Sequence, residues 1–272
     1  AALAGPPGGG VPPVPRSSRR PGGNGGISPR SLPPSPTPRA ARFGDGVLSL
    51  EPVAEEVRGR AGDVPLTAKV PAETATPPFV APDRITRDRA VALCARLADG
   101  AFDALVPVSA SVFWDMSVVR GAYPAEAWAD ERFADGYAEA FGSPLRARLV
   151  ALGSRLESLV YEFEPAWNAG LCRAVRHAVD VPVLCEGGIR GRERIDRLLE
   201  RSCDAVGLGR PFYAEPRLPA RLLGSTDATA VCDSCNNCAV PQATGADGVC
   251  RTPEVLERAG RLRRDGAYET ED

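Results

Sequence analysis

The chain has 272 residues, with 33 Lys and Arg against 35 Asp and Glu and a formal net charge of -2. That balance supplies no bulk basic field for nucleic acid or a membrane surface, and no apolar run approaches the roughly 18 residues that span a bilayer. Eight cysteines follow an N-terminus without the charged start and apolar stretch of an export signal. Reduced thiols or metal ligands are therefore expected rather than disulfides, in a cytoplasmic protein.

Residues 1–42 are dominated by Pro, Gly, Ser and Arg. Such a segment lacks the apolar side chains to offset its ordering entropy, and disorder is expected. From Phe43 onward Leu50, Val53 and Val57 recur at helical spacing beside Glu51, Glu55 and Glu56. Arg58 and Arg60 close the pattern, a charge order that suits the helix dipole. Gly62-Asp63 ends this helix, and Pro65 to Val70 reads as a strand. After a proline-rich loop over 71–85, Thr86 caps a helix that turns Ala90, Leu93, Cys94 and Leu97 inward. Phe102 to Val108 is the next strand. Residues 109–165 are irregular and rich in aromatics, among them Phe113, Trp114, Trp128, Tyr137, Phe141 and Phe163. They suit either a lid over a pocket or plain core packing. Gly170 to Val179 reads as a helix with Leu171, Ala174, Val175 and Ala178 inward. The single histidine, His177, lies late in it, where the C-terminal dipole is its expected partner.

Val181 to Cys185 is a short β-branched run suited to a buried strand, and Gly187-Gly188 forms a turn after it. Arg192 to Arg201 carries Ile195, Leu198 and Leu199 on one helical face. Ala205 to Leu208 is a further strand, closed by Gly209-Arg210-Pro211. This alternation reads as an α/β fold with parallel strands. Two glycine turns at the ends of successive parallel strands lie close together. Their N–H groups, with Arg210, suit a phosphate, the alternative being plain turn chemistry.

Cys232, Cys235, Cys238 and Cys250 have the spacing C-x2-C-x2-C-x11-C. Three thiolates at that pitch suit one metal centre with a fourth returning from downstream, and the run resembles ferredoxin-type ligation of an iron–sulfur cluster. Structural zinc more often pairs two separated C-x2-C knuckles, and a set of reduced, partly buried thiols is the third reading. Cys94, Cys172, Cys185 and Cys203 read as small core residues.

The run GGIR…DAVGLGRPFYAEPRLP, followed by CDSCNNC, resembles the C-terminal part of the old yellow enzyme family, the NADH:flavin oxidoreductases. The resemblance covers roughly residues 43 to 255. It implies an FMN-binding (β/α)8 barrel of the TIM type, represented here mainly by its C-terminal half. By the same resemblance Gly187, Gly188, Gly209 and Arg210 hold the FMN phosphate, and Lys69 points at the flavin. Hydride would pass from NAD(P)H through FMN to an activated alkene or enone. Family members with a second flavin domain hold a 4Fe-4S cluster at cysteines spaced by one more residue than here. The family's substrate-binding His pair and its tyrosine proton donor belong to the first half of the barrel, so no catalytic residue is assigned. A non-catalytic relative, and a metal-binding or electron-transfer protein built on the Cys cluster, are the alternative readings. The chain divides into the 1–42 segment, a barrel region over 43–228 and a Cys-rich extension over 229–272. Open edges of a half-barrel sheet would favour a homo-oligomer.

Overall fold

A computed structural model describes residues 2–3, 46–72, 85–100, 102–110 and 117–269. Most of the segment expected to be disordered, most of the 71–85 loop, and Phe113 and Trp114 lie outside the described residues. The chain forms two units, one of residues 5–64 and one of residues 1–4 with 65–272.

In the smaller unit, helix α1 runs Gly46–Ala61 with Arg58 and Arg60 in its last turn. Arg60 pairs with Glu56 one turn back at 2.6 Å, and Gly62 ends the helix at φ +65° by donating to the Arg58 carbonyl. That left-handed residue is the common glycine solution to a helix C-terminus.

In the larger unit, strand β2 (Thr67–Ala72) lies parallel to β3 (Ala104–Ser109), in register from Thr67 opposite Ala104 to Ala72 opposite Ser109. A parallel bridge from Leu105 to Val183 joins β3 to β4 (Leu184–Glu186), which pairs in parallel with β5 (Ala205–Gly207). The dipeptide β1 (Ala2–Leu3) runs antiparallel along the other side of β5. The fold is thus mixed α/β with short parallel strands, and the described strands close no barrel. β4 begins later than the Val181 expected from sequence. Pro182 has no N–H for the ladder, and the Val183 N–H donates to Asp204 Oδ2 at 2.9 Å.

Helix α2 (Arg87–Asp99) follows its sequence pattern: Thr86 Oγ1 accepts from the Arg89 N–H, and Ala90, Leu93, Cys94 and Leu97 are buried. Across the 13 residues the buried positions recur at helical spacing, which is what seats the helix on the sheet. Later, helix α6 (Ala169–Arg176) buries Leu171, Cys172 and Val175, but ends before Ala178, which is exposed. The Ala178 N–H reaches back only to Val175, so the last turn tightens at His177 and the helix stops. Helix α7 spans the expected Arg192–Arg201 with Ile195 and Leu198 buried. The thiols of Cys94, Cys172, Cys185 and Cys203 are all buried.

Between β3 and α6 lie helices α3 (Ala125–Ala129), α4 (Ala134–Phe141) and α5 (Pro144–Glu157). Ala127, Tyr137, Ala147 and Val240 form a small satellite core, with Trp128, Phe133 and Phe141 packed against it. Trp128 and Tyr137 meet at 4.7 Å between ring centroids, and the Tyr137 hydroxyl donates to the Ala127 carbonyl. These aromatics serve packing, so the lid reading does not apply to them. No helix among the described residues is long and apolar enough to cross a membrane.

After β5 come α8 (Arg210–Ala214), α9 (Leu218–Gly224) and, beyond the cysteine segment, α10 (Pro253–Arg264). The 229–269 stretch, set apart in the sequence, packs within the same unit as the strands. Glu215 organises this region, as the carboxylate accepts from Arg221, Tyr268 and the Val231 N–H. Burial, then the bond to Glu215, pushes the Tyr268 phenol up to about 12, and burial does the same for Tyr137. Both folded-state values lie above the usual value of about 10. Their contribution is therefore complete below about pH 10 and is lost as pH rises through about 12. Thermal midpoints measured against pH should fall across that window by the equivalent of about 2 kcal/mol per phenol. Tyr137→Phe should make the fall shallower. A midpoint that stays level while tyrosinate absorbance rises would refute this linkage.

Candidate functional site

A cavity of about 570 Å³ opens at the carboxyl ends of the parallel strands. Its size is that of a small-molecule or cofactor site. Lys69 from β2, Val108 from β3, Glu186 to Arg190 from the end of β4 onward, and Gly207 to Pro211 from the end of β5 onward line it. All five residues assigned to a cofactor from the sequence, Lys69, Gly187, Gly188, Gly209 and Arg210, are brought to this one cavity.

Lys69 is not alone there. Its Nζ lies 2.6 Å from a Glu186 carboxylate oxygen, an ion pair linking the middle of β2 to the end of β4. Both side chains are partly exposed, so the pair adds little stability. Its effect is to hold the ammonium in place and to reduce the net charge it presents. Sequence reading missed Glu186, although its place directly before the Gly-Gly turn put it at the strand end.

The two glycine turns differ. Gly187 and Gly188 sit at φ +100° and +65°. A Cβ on Gly187 would lie 2.6 Å from the Trp167 ring, and one on Gly188 only 2.2 Å from the Glu164 carbonyl. The first turn thus packs tightly on the 164–168 segment. Asn168, buried in that segment, fastens the strand ends: its Oδ1 accepts from the Ser109 N–H and its Nδ2 donates to the Glu186 carbonyl, both at 2.7 Å. Gly209 instead has ordinary negative φ and open space around its Cβ position, and it precedes the short α8. The N–H groups of Gly188, Gly209 and Arg210 have no hydrogen-bond partner among the described residues.

Two guanidinium groups line the same wall. Arg210 donates through Nη1 to Asn236 Oδ1 and, at 3.4 Å, to the Val119 carbonyl, and through Nη2 to the Arg120 carbonyl at 3.0 Å. Arg190 donates to Ser234 Oγ and stacks over Phe163 with its Cζ 3.8 Å from the ring centroid. Neither makes an ion pair with a carboxylate among the described residues. Burial lowers the pKa of both, and the nearby Arg190 lowers that of Arg210 further. Arg190 Nε and Trp167 Nε1 are buried without a hydrogen-bond partner. A wall with two partly desolvated cations and orphaned N–H donors suits an anionic group. The sequence motif contained Arg190 as the last residue of GGIR, but only the tertiary structure sets it beside Arg210.

The cysteine segment contributes to this wall through other residues. Ser234, Ala239 and Gln242 line the cavity. Ser234 and Asn236 adopt left-handed backbone at φ +56° and +64°, and Gly121 packs against the Ser234 carbonyl. The thiol of Cys235 lies 3.0 Å from Thr252 Oγ1. Burial pushes the Cys238 thiol up to about 12, with Arg210 pulling the other way, and burial raises that of Cys250. No group of three or more His, Cys, Asp or Glu side chains among the described residues is arranged to hold a metal ion. The thiols of Cys232, Cys235 and Cys250 nonetheless act electrostatically on that of Cys238, so the four cysteines expected as ligands share one neighbourhood.

No family model matches the chain. A curated protein to which it is similar is 4,4'-dithiodibutanoate disulfide reductase of Rhodococcus erythropolis, 28% identical over 102 residues. The aligned stretch covers 38% of this chain and 25% of that protein, so the chain spans about a quarter of its relative's length.

Proposed function

We propose that the chain is an oxidoreductase that binds FMN in the strand-end cavity and belongs to the old yellow enzyme type, with a half-barrel arrangement of its strands. The observation that carries the reading is the pairing of Arg190 and Arg210, without carboxylate partners among the described residues, beside two turns whose N–H groups are unengaged. The disulfide reductase named above supports oxidoreductase chemistry in general.

Arg190, Arg210 and the N–H groups of Gly188 and Gly209 would hold the phosphate, the orphaned Arg190 Nε gaining a partner. Trp167 and Phe163 would supply apolar wall, and Trp167 Nε1 a further donor. Lys69, held by Glu186, would place a positive charge beside the flavin ring. When bound, FMN supplies hydride transfer from NAD(P)H to an activated alkene or enone. The relative's name makes a disulfide a second acceptor to assay. A non-catalytic FMN-binding module is the second reading, favoured by a sheet that the described strands do not close.

The test is a titration of the purified protein with FMN, following flavin fluorescence and thermal midpoint together. Saturation near one FMN per chain is expected, with affinity lowered about tenfold or more in Arg210→Ala and again in Arg190→Ala. Binding that is absent, or indifferent to both arginines, would overturn the reading. NAD(P)H oxidation with an enone or a disulfide then separates the enzyme from the binding module.

A further inference from the structure

Helix α5 is built inside out. Its buried positions are the small residues Ala147 and Ser154, Ala147 joining the satellite core around Tyr137. Its large apolar residues face solvent: Leu145, Leu149, Leu152 and Leu156 are 67, 59, 56 and 61% exposed, and Leu159 and Val160 just beyond are 72 and 75% exposed. Together they form a patch on the order of several hundred Å², larger than scattered apolar surface residues explain.

The order of the leucines is informative. They are spaced by four, three, four and three residues from 145 to 159, the alternation of a coiled-coil seam, where every such side chain falls on one narrow line. From Leu145 to Leu156 the line is about 16 Å long. The positions that flank a seam are occupied by Arg146, Arg148 and Arg155, all exposed, and none makes an ion pair among the described residues. In an antiparallel pairing of two copies of this helix Arg148 and Arg155 would face each other twice with no acid between them. A membrane surface would be met by a broad apolar face rather than by a line one side chain wide.

We infer that the exposed leucine line of α5 is a docking surface for a partner helix whose own heptad-spaced apolar residues are flanked by carboxylates. Arg146, Arg148 and Arg155 select that partner by charge, as flanking residues do in two-helix seams. The leucines would provide the buried area.

The test uses the full chain and two labelled synthetic helices of about three heptads, with leucines along the seam and either glutamates or lysines at both flanks. Fluorescence anisotropy should show the glutamate helix binding about tenfold or more tighter than the lysine helix. Leu149→Asp combined with Leu152→Asp should abolish binding at an unchanged thermal midpoint, because neither side chain is buried. Arg148→Glu with Arg155→Glu should reverse the order of the two helices. Equal binding of both helices, or of neither, overturns the inference. So does a dimer in light scattering that the aspartate pair dissolves, which would make a second copy the occupant. Binding to phosphatidylglycerol vesicles without binding to the glutamate helix would assign the surface to membranes and overturn it too.

Discussion

Glu215→Ala is expected to destabilise the protein by about 3–5 kcal/mol, a fall in thermal midpoint of about 10 °C. The Glu215 side chain is fully buried and forms an ion pair with Arg221 at 2.5 Å, whose own side chain is 12% exposed. The same carboxylate accepts from the Tyr268 hydroxyl at 2.9 Å and the Val231 N–H at 2.6 Å. Truncation leaves a guanidinium buried without its carboxylate and orphans two further donors, which costs far more than the loss of one exposed pair. The Thr229 carbonyl remains for Arg221 and sets a limit to the damage. Because these bonds join α8 and α9 to the cysteine segment and the chain end, the FMN affinity proposed above should fall with stability. Glu215→Gln keeps the shape and part of the bonding, and should lose less. A midpoint within about 3 °C of the parent for the alanine variant would show that the carboxylate is dispensable.

Gly188→Ala is expected to cost about 2–4 kcal/mol, the sum of a left-handed alanine and an overpacked contact. At φ +65° the new Cβ would lie 2.2 Å from the Glu164 carbonyl oxygen, 2.8 Å from the Ala166 nitrogen and 2.9 Å from Trp167 Cε3. Two of those atoms are backbone, so no flexible side-chain end can yield. The 164–168 segment would have to retreat, taking with it Trp167 from the cavity wall and Asn168 from the strand ends. The proposed FMN binding should weaken along with the midpoint. Gly209→Ala is the contrast: nothing lies within 4 Å of its Cβ position, and stability should stay within about 0.5 kcal/mol. Equal midpoints for the two alanine variants would refute this division between the turns.

The two glycines show where sequence reasoning runs out. Both turns carried the same signal, and both do lie at the cavity, because strand, turn and helix are encoded over a few residues. For the same reason helix α7 occupies the expected Arg192–Arg201 and α2 buries the expected four residues. Helical periodicity and a capping threonine are local properties, and they survive whatever the rest of the chain does. What only the tertiary structure decided is which residues meet across large separations. Lys69 and Glu186 are 117 positions apart, and nothing near either announces the other. Arg190 became a cavity residue because Phe163 and Ser234 arrive from distant loops. The cysteine spacing suggested a ligand set, but which other residues of that run reach the cavity depends on the path of the segment, and left-handed backbone at Ser234 and Asn236 accompanies the placing of Ser234 on the cavity wall. The leucines of α5 lie in the stretch read from the sequence as irregular, and even their regular spacing does not by itself say which side is covered. Small residues at Ala147 and Ser154 let α5 pack closely on the satellite core, and this sent the leucines outward.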